Sequence, residues 1–307
     1  MKPLAGKVIV VTGGGRGVGA GVCREVARLG ANVVVADIDD AKAIAVADEI
    51  TAAGNRAEAR ACDVADWHAA AALIAGCVDR HGHIDGLVNA AGLMRMGTLV
   101  EMTEGLFDAM FTVNVAGTAY CAHHAAIAMS AQGSGAIVNF VSGSQMGIPE
   151  MGAYGASKGA VASFTYTWAL ELAGAGVRVN AVSPMGMTRM VDVATTYHDE
   201  RSLPHHVNVM PDPSANAGTI SFLLSDRAKD ITGQIVRVEG NLLSLIVHPA
   251  IAAPVLDRPE WDFESVADAF DRDLRARLLP VGVSSLEVRP AAGGTNMWHA
   301  EDAPTKR

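Results

Sequence analysis

Thr12-Gly13-Gly14-Gly15-Arg16-Gly17-Val18-Gly19 stands between a β-branched run, residues 7–12, and a segment whose apolar residues recur at helical spacing, Val18, Val22, Val26 and Leu29. Glycines at such a junction let the backbone turn sharply and approach a phosphate closely. The helix that follows offers unpaired N–H groups and the positive end of its dipole. A glycine triplet alone is common; inside a strand–loop–helix unit it carries weight. Gly13, Gly15, Arg16, Gly17, Val18 and Gly19 are therefore expected to hold the diphosphate of a dinucleotide.

The alternation continues on both sides of this loop. Strand-like runs cover 32–36, 56–61, 84–89, 136–141, 177–182 and 234–238, and helical spacing covers 41–53, 67–80, 104–130 in one or two pieces, 154–173 and 214–224. Strands that alternate with helices predict an α/β fold, a single doubly wound parallel sheet with helices on both faces. The pattern fills 1–240 without a linker. An extension over 241–307 opens on the apolar stretch 242–247 and is punctuated by Pro249, Pro254 and Pro259. One helix is expected there over about 263–279, with Asp262 as its N-cap. The tail beyond 284 is loop-like in composition.

Asp37 ends the second strand, eighteen residues after Gly19. A carboxylate at that place accepts hydrogen bonds from an adenosine ribose 2′-OH and repels a 2′-phosphate. Ile38 follows it, and Asp39 and Asp40 add negative charge. The expected cofactor is NAD in preference to NADP, with Arg16 the one opposing signal.

Composition narrows the function further. The chain has 307 residues, half of them hydrophobic and 19% charged, which gives ample core and excludes a disordered chain. The net charge of −9 argues against nucleic acid as a partner. No run approaches the ~20 apolar residues of a membrane span, and residues 1–7 lack the features of a signal peptide. Cys23, Cys62, Cys77 and Cys121 form no Cys-x-x-Cys pair and lie in apolar surroundings. A reducing, cytoplasmic setting fits them. No metal site is expected: His123-His124 and His205-His206 are adjacent pairs, and neighbours on a helix point apart.

Tyr154 and Lys158 are four apart at the start of a helix and share a face. An ammonium beside a phenol favours phenolate, which would make Tyr154 a usable acid/base. Together with Thr12–Gly19, Asp63-Val64, Asn89-Ala90-Ala91-Gly92, Asn114, Ser142 and Ser183-Pro184, this pair resembles the short-chain dehydrogenase/reductase family, whose motifs occur in the same order across about 5–240. The resemblance implies a Rossmann-type domain and roles for these residues. Tyr154 would be the general acid/base, with Lys158 lowering its pKa and binding the nicotinamide ribose. Ser142 would orient the substrate oxygen, and Asn114 would serve a proton relay. Asp63 would contact adenine, with Val64, Ala90, Ala91, Gly92, Pro184, Met187 and Thr188 near the cofactor and Asn89 steadying the central strand. Two places depart from the family. Ser142 stands one residue nearer the tyrosine than usual, which leaves Ser144 as a second candidate. Pro184-Met185-Gly186 replaces the usual Pro-Gly pair.

Ligands of such sheets bind beyond the carboxyl ends of the strands. The loops expected there, 92–98, 142–153 and 184–213, carry Met94, Met96, Met146, Met151, Met185, Met187, Met190 and Met210, together with Ser144 and Gln145. Methionines make adaptable apolar walls, so a small hydrophobic substrate, steroid- or terpene-like, is expected. A secondary alcohol and its ketone would be interconverted by hydride transfer. Residues 184–190 and the extension are similar to the hydroxyacyl-CoA/17β-hydroxysteroid dehydrogenase branch, which adds a 3-hydroxyacyl-CoA dehydrogenase as an alternative. Arg95, Arg189 or Arg201 would then meet the phosphates. A non-catalytic NAD-binding sensor is the alternative of another class. The family resemblance also implies a homo-oligomer, a tetramer or a dimer.

Overall fold

In a computed structural model, which describes residues 2–203, 210–278 and 282, eight strands form one sheet. They are β1 (Val8–Thr12), β2 (Asn32–Asp37), β3 (Arg56–Ala61), β4 (Gly86–Asn89), β5 (Gly135–Phe140), β6 (Val177–Ser183), β7 (Ile235–Glu239) and β8 (Leu242–Ile246), in the order 3-2-1-4-5-6-7-8. Every pairing is parallel except β7 with β8.

Residues alternate between the two faces because side chains on a strand point to opposite sides. Ile9 and Val11 pack under α1 (Gly17–Arg28), α2 (Asp40–Ala52) and α8 (Ala217–Leu224). Val8 and Val10 face α3 (Trp67–His81), α5 (Gly117–Gln132) and the end of α6 (Gly152–Glu171). Both faces of the parallel strands are covered, which is why those strands read as nearly unbroken apolar runs. All four cysteines are free and buried, and burial pushes the Cys77 and Cys121 thiols up to about 12. His123 and His124 lie against the Trp67 ring, with centroids 4.9 and 4.6 Å away.

The stretch 104–130 is helical as expected, and two other elements differ from the sequence expectation. The stretch 104–130 is one helical rod: α4 (Glu104–Met110) runs through a π turn, Phe111–Ala116, into α5. Residues 189–200, expected as loop, form α7 (Arg189–Glu200), capped by the Thr188 side chain, which accepts from the Met190 N–H. The last strand is β8 rather than 234–238. It adds an antiparallel edge and leaves Leu243 and Leu245 exposed. In the extension, α9 (Phe263–Ala269) continues through tighter and wider turns to Arg277. Asp262 caps it, accepting from the Ser265 N–H at 2.8 Å. The His205-His206 pair and the tail beyond 284 lie outside the described residues.

Candidate active site

A cleft of about 1350 Å³ opens over the carboxyl ends of the central strands, where the order turns from β1 to β4. That is the switch point where open α/β sheets bind ligands, and the volume exceeds what a drug-sized ligand needs.

One end is built by the glycine loop. A Cβ on Gly13, whose φ is +64°, would stand 2.7 Å from the Ala91 backbone; one on Gly15 would stand 2.9 Å from Asp37 Oδ2. Only glycine lets these segments close together. No side chain caps the N-terminus of α1, and its first turn carries no acid, so its N–H groups are left for a ligand. Gly13, Arg16, Gly17, Val18, Gly19, Asp37, Ile38, Asp63, Val64, Ala90, Ala91, Gly92, Pro184, Met187 and Thr188 all line the cleft. Gly15 and Asn89 lie behind its wall. Gly15 donates its N–H to Asp37 Oδ2 at 3.0 Å, and Asn89 donates to Asn139 Oδ1 at 3.0 Å in the buried centre of the sheet. The Arg16 guanidinium is held by Asp39 at 2.8 Å. An extended dinucleotide fits this cradle: glycine walls, free helix N–H groups and a buried carboxylate at the far end.

The other end holds the reacting groups. Tyr154, Lys158 and Ser142 converge from the first turns of α6 and the loop after β5. The Lys158 ammonium donates to the Phe140 carbonyl at 2.8 Å and lies 5.9 Å from the Tyr154 ring centroid. Burial pushes the Tyr154 phenol up to about 12, while hydrogen bonding with Ser142 draws it back. Burial brings Lys158 down to about 8. The expected depression of the phenol by Lys158 is thus not seen: burial raises it, and the neighbour that lowers it is Ser142. The phenol is a proton donor at neutral pH in this form.

Asn114 does not face the cleft. Its side-chain amide donates to the Leu93 carbonyl at 2.8 Å and to Ser157 Oγ at 3.0 Å, and accepts from the Leu93 N–H at 2.7 Å. It therefore fixes the strip 92–93 against α6. The π turn is what rotates it there, and such turns recur at functional sites. Ser142 faces Tyr154 on the cleft wall, whereas Ser144 is buried beneath it. Of the two serines, the one that reaches the tyrosine is Ser142.

Of the expected substrate-pocket residues, Met94 and Met190 line the cleft, and Met190 Sδ lies 3.8 Å from the Tyr154 hydroxyl. Ser144, Gln145, Met151 and Met185 do not line it. Met151 packs behind in the cluster of Met94, Met110 and Tyr154. Met185 is turned away because its backbone N–H and carbonyl are both bound by the Asn216 side chain.

Sequence reasoning missed the contribution of α7, whose Val193, Thr196 and Tyr197 also line the cleft. The spacing of Met190, Val193 and Tyr197 carried the signal. α7 is tied to the opposite lip. The Tyr197 hydroxyl donates to Glu101 Oε2 at 2.8 Å, Arg201 Nε to Glu101 Oε1 at 3.3 Å, and His198 pairs with Glu150 at 3.2 Å. These donors, with the Thr98 N–H first among them, hold the Glu101 carboxyl down at about 2. Glu101→Ala is expected to raise the KM for substrate several-fold with a smaller change in kcat, and to expose α7 to limited proteolysis. An unchanged KM would show that α7 needs no anchor at Glu101.

Comparison with known proteins agrees with this geometry. The short chain dehydrogenase family model matches residues 7–201. The chain is 36% identical over 242 residues to the short-chain reductase protein NovJ of Streptomyces niveus, covering 76% of this chain and 92% of that protein. It is 33% identical to 2-(S)-hydroxypropyl-CoM dehydrogenase 3 of Xanthobacter autotrophicus, covering 79% and 98%. A short chain dehydrogenase from Mycobacterium avium superposes with a TM-score of 0.79 at 32% identity, covering 91% and 98% of the two chains. An NAD+-bound xylitol dehydrogenase superposes at 0.70 with 29% identity, covering 78% and 100%. With the glycine cradle, the tyrosine and the lysine in these places, the chain belongs to the short-chain dehydrogenase family, oxidoreductases that act on alcohol and carbonyl groups.

Proposed function

We propose that the protein is an NAD-dependent dehydrogenase that interconverts a secondary alcohol and a ketone on a largely apolar substrate. The observation that carries the cofactor preference is the acidic end of the cradle. Asp37 is buried at the end of the cradle where a ribose 2′-OH would lie, and the Arg16 guanidinium is held by Asp39. A 2′-phosphate would meet that carboxylate. The apolar walls from Met94, Met96, Met190 and Val193 support the substrate class.

When bound, the nicotinamide ring takes or gives the hydride. Tyr154 holds the proton at its phenolic oxygen and passes it to the carbonyl oxygen in reduction, or takes it from the alcohol in oxidation. Ser142 orients that same oxygen by a hydrogen bond. Lys158 keeps positive charge near the phenol, stabilising the phenolate that forms when the proton is given up. Asn114 positions the strip beside them through Leu93. We assign Tyr154, Ser142 and Lys158 as the catalytic set and Asn114 as a positioning residue.

The reading also takes 1–240 as the catalytic domain and 241–307 as its extension, the chain as a cytoplasmic enzyme, and a homo-oligomer that covers the exposed Leu243 and Leu245 edge.

The test is nicotinamide absorbance during turnover, with NAD+ or NADP+ against steroid, terpene and simple secondary alcohols and 3-hydroxyacyl-CoA esters. Reduction of NAD+ by the apolar alcohols is expected. Exclusive use of NADP+ would overturn the role of Asp37. Turnover of the CoA esters alone would move the assignment to 3-hydroxyacyl-CoA. NAD+ binding without turnover in either direction would leave a sensor.

A further inference from the structure

Five arginines line the cleft: Arg16, Arg24, Arg95, Arg189 and Arg201. Three are committed to carboxylates, Arg16 to Asp39, Arg24 to Glu49, and Arg201 to Glu101 and Glu200. Among the described residues Arg95 and Arg189 have no carboxylate partner; the one hydrogen bond of the Arg95 head is to the Met94 carbonyl at 3.0 Å. Both are exposed to the cleft.

Their placement is specific. Arg95 follows Met94, which packs on Tyr154, and Arg189 precedes Met190, whose sulfur touches the Tyr154 hydroxyl. The two arginines line the same cleft as the reacting tyrosine, one on the loop after β4 and one on the first turn of α7. A guanidinium presents a rigid fork of donors that matches an oxyanion and accepts nothing in return. In an acidic chain, with the other cleft arginines neutralised, two unpaired forks beside an apolar wall mark a place for a negative group.

We propose that the substrate is an apolar alcohol carrying an anionic oxygen group, a carboxylate or a chemically equivalent oxyanion, a few bonds from the carbinol, and that Arg95 and Arg189 bind it. The proposal rests on the assignment of this end of the cleft to the substrate. It adds a polar handle to the methionine-lined pocket, which would orient an otherwise featureless apolar molecule.

Calorimetric binding needs no turnover and separates this proposal from the assignment of the reaction. Hexanoate and methyl hexanoate, titrated into the NAD+-loaded protein, share a carbon skeleton and differ in charge. Hexanoate is expected to bind roughly tenfold more tightly, as a charge-assisted hydrogen bond in a wet site gives. The difference should shrink as salt is raised. The Arg95→Ala/Arg189→Ala double variant should erase it, while Arg95→Lys should retain part of it. Equal affinities for the two ligands in the wild-type protein would overturn the proposal, even if neutral alcohols are oxidised. So would an Arg189→Ala variant that loses NAD+ affinity and keeps the hexanoate preference, because that arginine would then serve the cofactor's diphosphate.

Discussion

Tyr154→Phe is expected to lower kcat by roughly a thousandfold while leaving NAD+ affinity unchanged, because the hydroxyl supplies proton transfer and little binding. The phenol is buried, and its polar neighbours are Ser142 and the Met190 sulfur. Phenylalanine keeps the ring in the cluster with Met94 and Met110, so the fold is retained. The pH dependence carries a second signature. With the phenol high, carbonyl reduction finds its proton donor in place across neutral pH and should stay level. Alcohol oxidation must first find the phenol deprotonated and should climb as pH rises. Stopped-flow turnover in both directions, with NAD+ binding by calorimetry, checks both. A phenylalanine variant with wild-type kcat would remove Tyr154 from the chemistry and favour a sensor.

Lys158→Met is expected to abolish activity and yet stabilise the cofactor-free protein. The ammonium is fully buried, and its pKa falls from the ordinary 10.5 to about 8. The folded value lies below the unfolded one, so the unfolded chain binds the proton more tightly. This group therefore costs stability as pH falls from about 10.5 through 8, and the whole cost is present at neutral pH. The shift corresponds to about 3 kcal/mol. Methionine keeps the stem and removes the charge, at a cost of about 1 kcal/mol for the lost hydrogen bond to Phe140. The net gain should raise Tm by several degrees, and at strongly alkaline pH the difference should shrink and change sign, because only the lost hydrogen bond remains. A variant that melts lower than wild type at neutral pH would show that Lys158 is stabilising where it lies. A variant that melts higher would make Lys158 a stability cost retained for function.

Most of the sheet is legible in the sequence because its strands are buried on both faces and bounded by glycines and caps. β3 spans the predicted residues, 56–61; β1, β2 and β6 shift by one residue at one end, and β5 by one at both. The glycine loop and Tyr154/Lys158 are legible because local spacing alone fixes their geometry. What escapes is set by tertiary contacts. The π turn that aims Asn114 leaves no mark in apolar periodicity, since one extra residue per turn alters register, not composition. α7 is masked by its polar residues Thr195, Thr196, Asp199 and Glu200, and by Pro184 and Gly186 before it. β8 carries no alternation to mark it, because it pairs at an edge. The direction of the Tyr154 shift could not be read at all, for it depends on how deeply the residue is buried.

Asp37 serves two masters. One carboxylate oxygen accepts from the Gly15 N–H and the other from the Asp39 N–H, so the residue proposed to meet the ribose also shapes the glycine loop and the start of α2. Asp39 in turn caps α2 and restrains Arg16. Cofactor choice and loop shape are therefore not separable traits in this chain. A lineage drifting from one nicotinamide dinucleotide to the other could not pass through loss of Asp37 alone, since that intermediate would hold neither well. Arg16 would have to be freed from Asp39 in the same step or before it. The order of mutations, and not only their identity, is constrained by two hydrogen bonds.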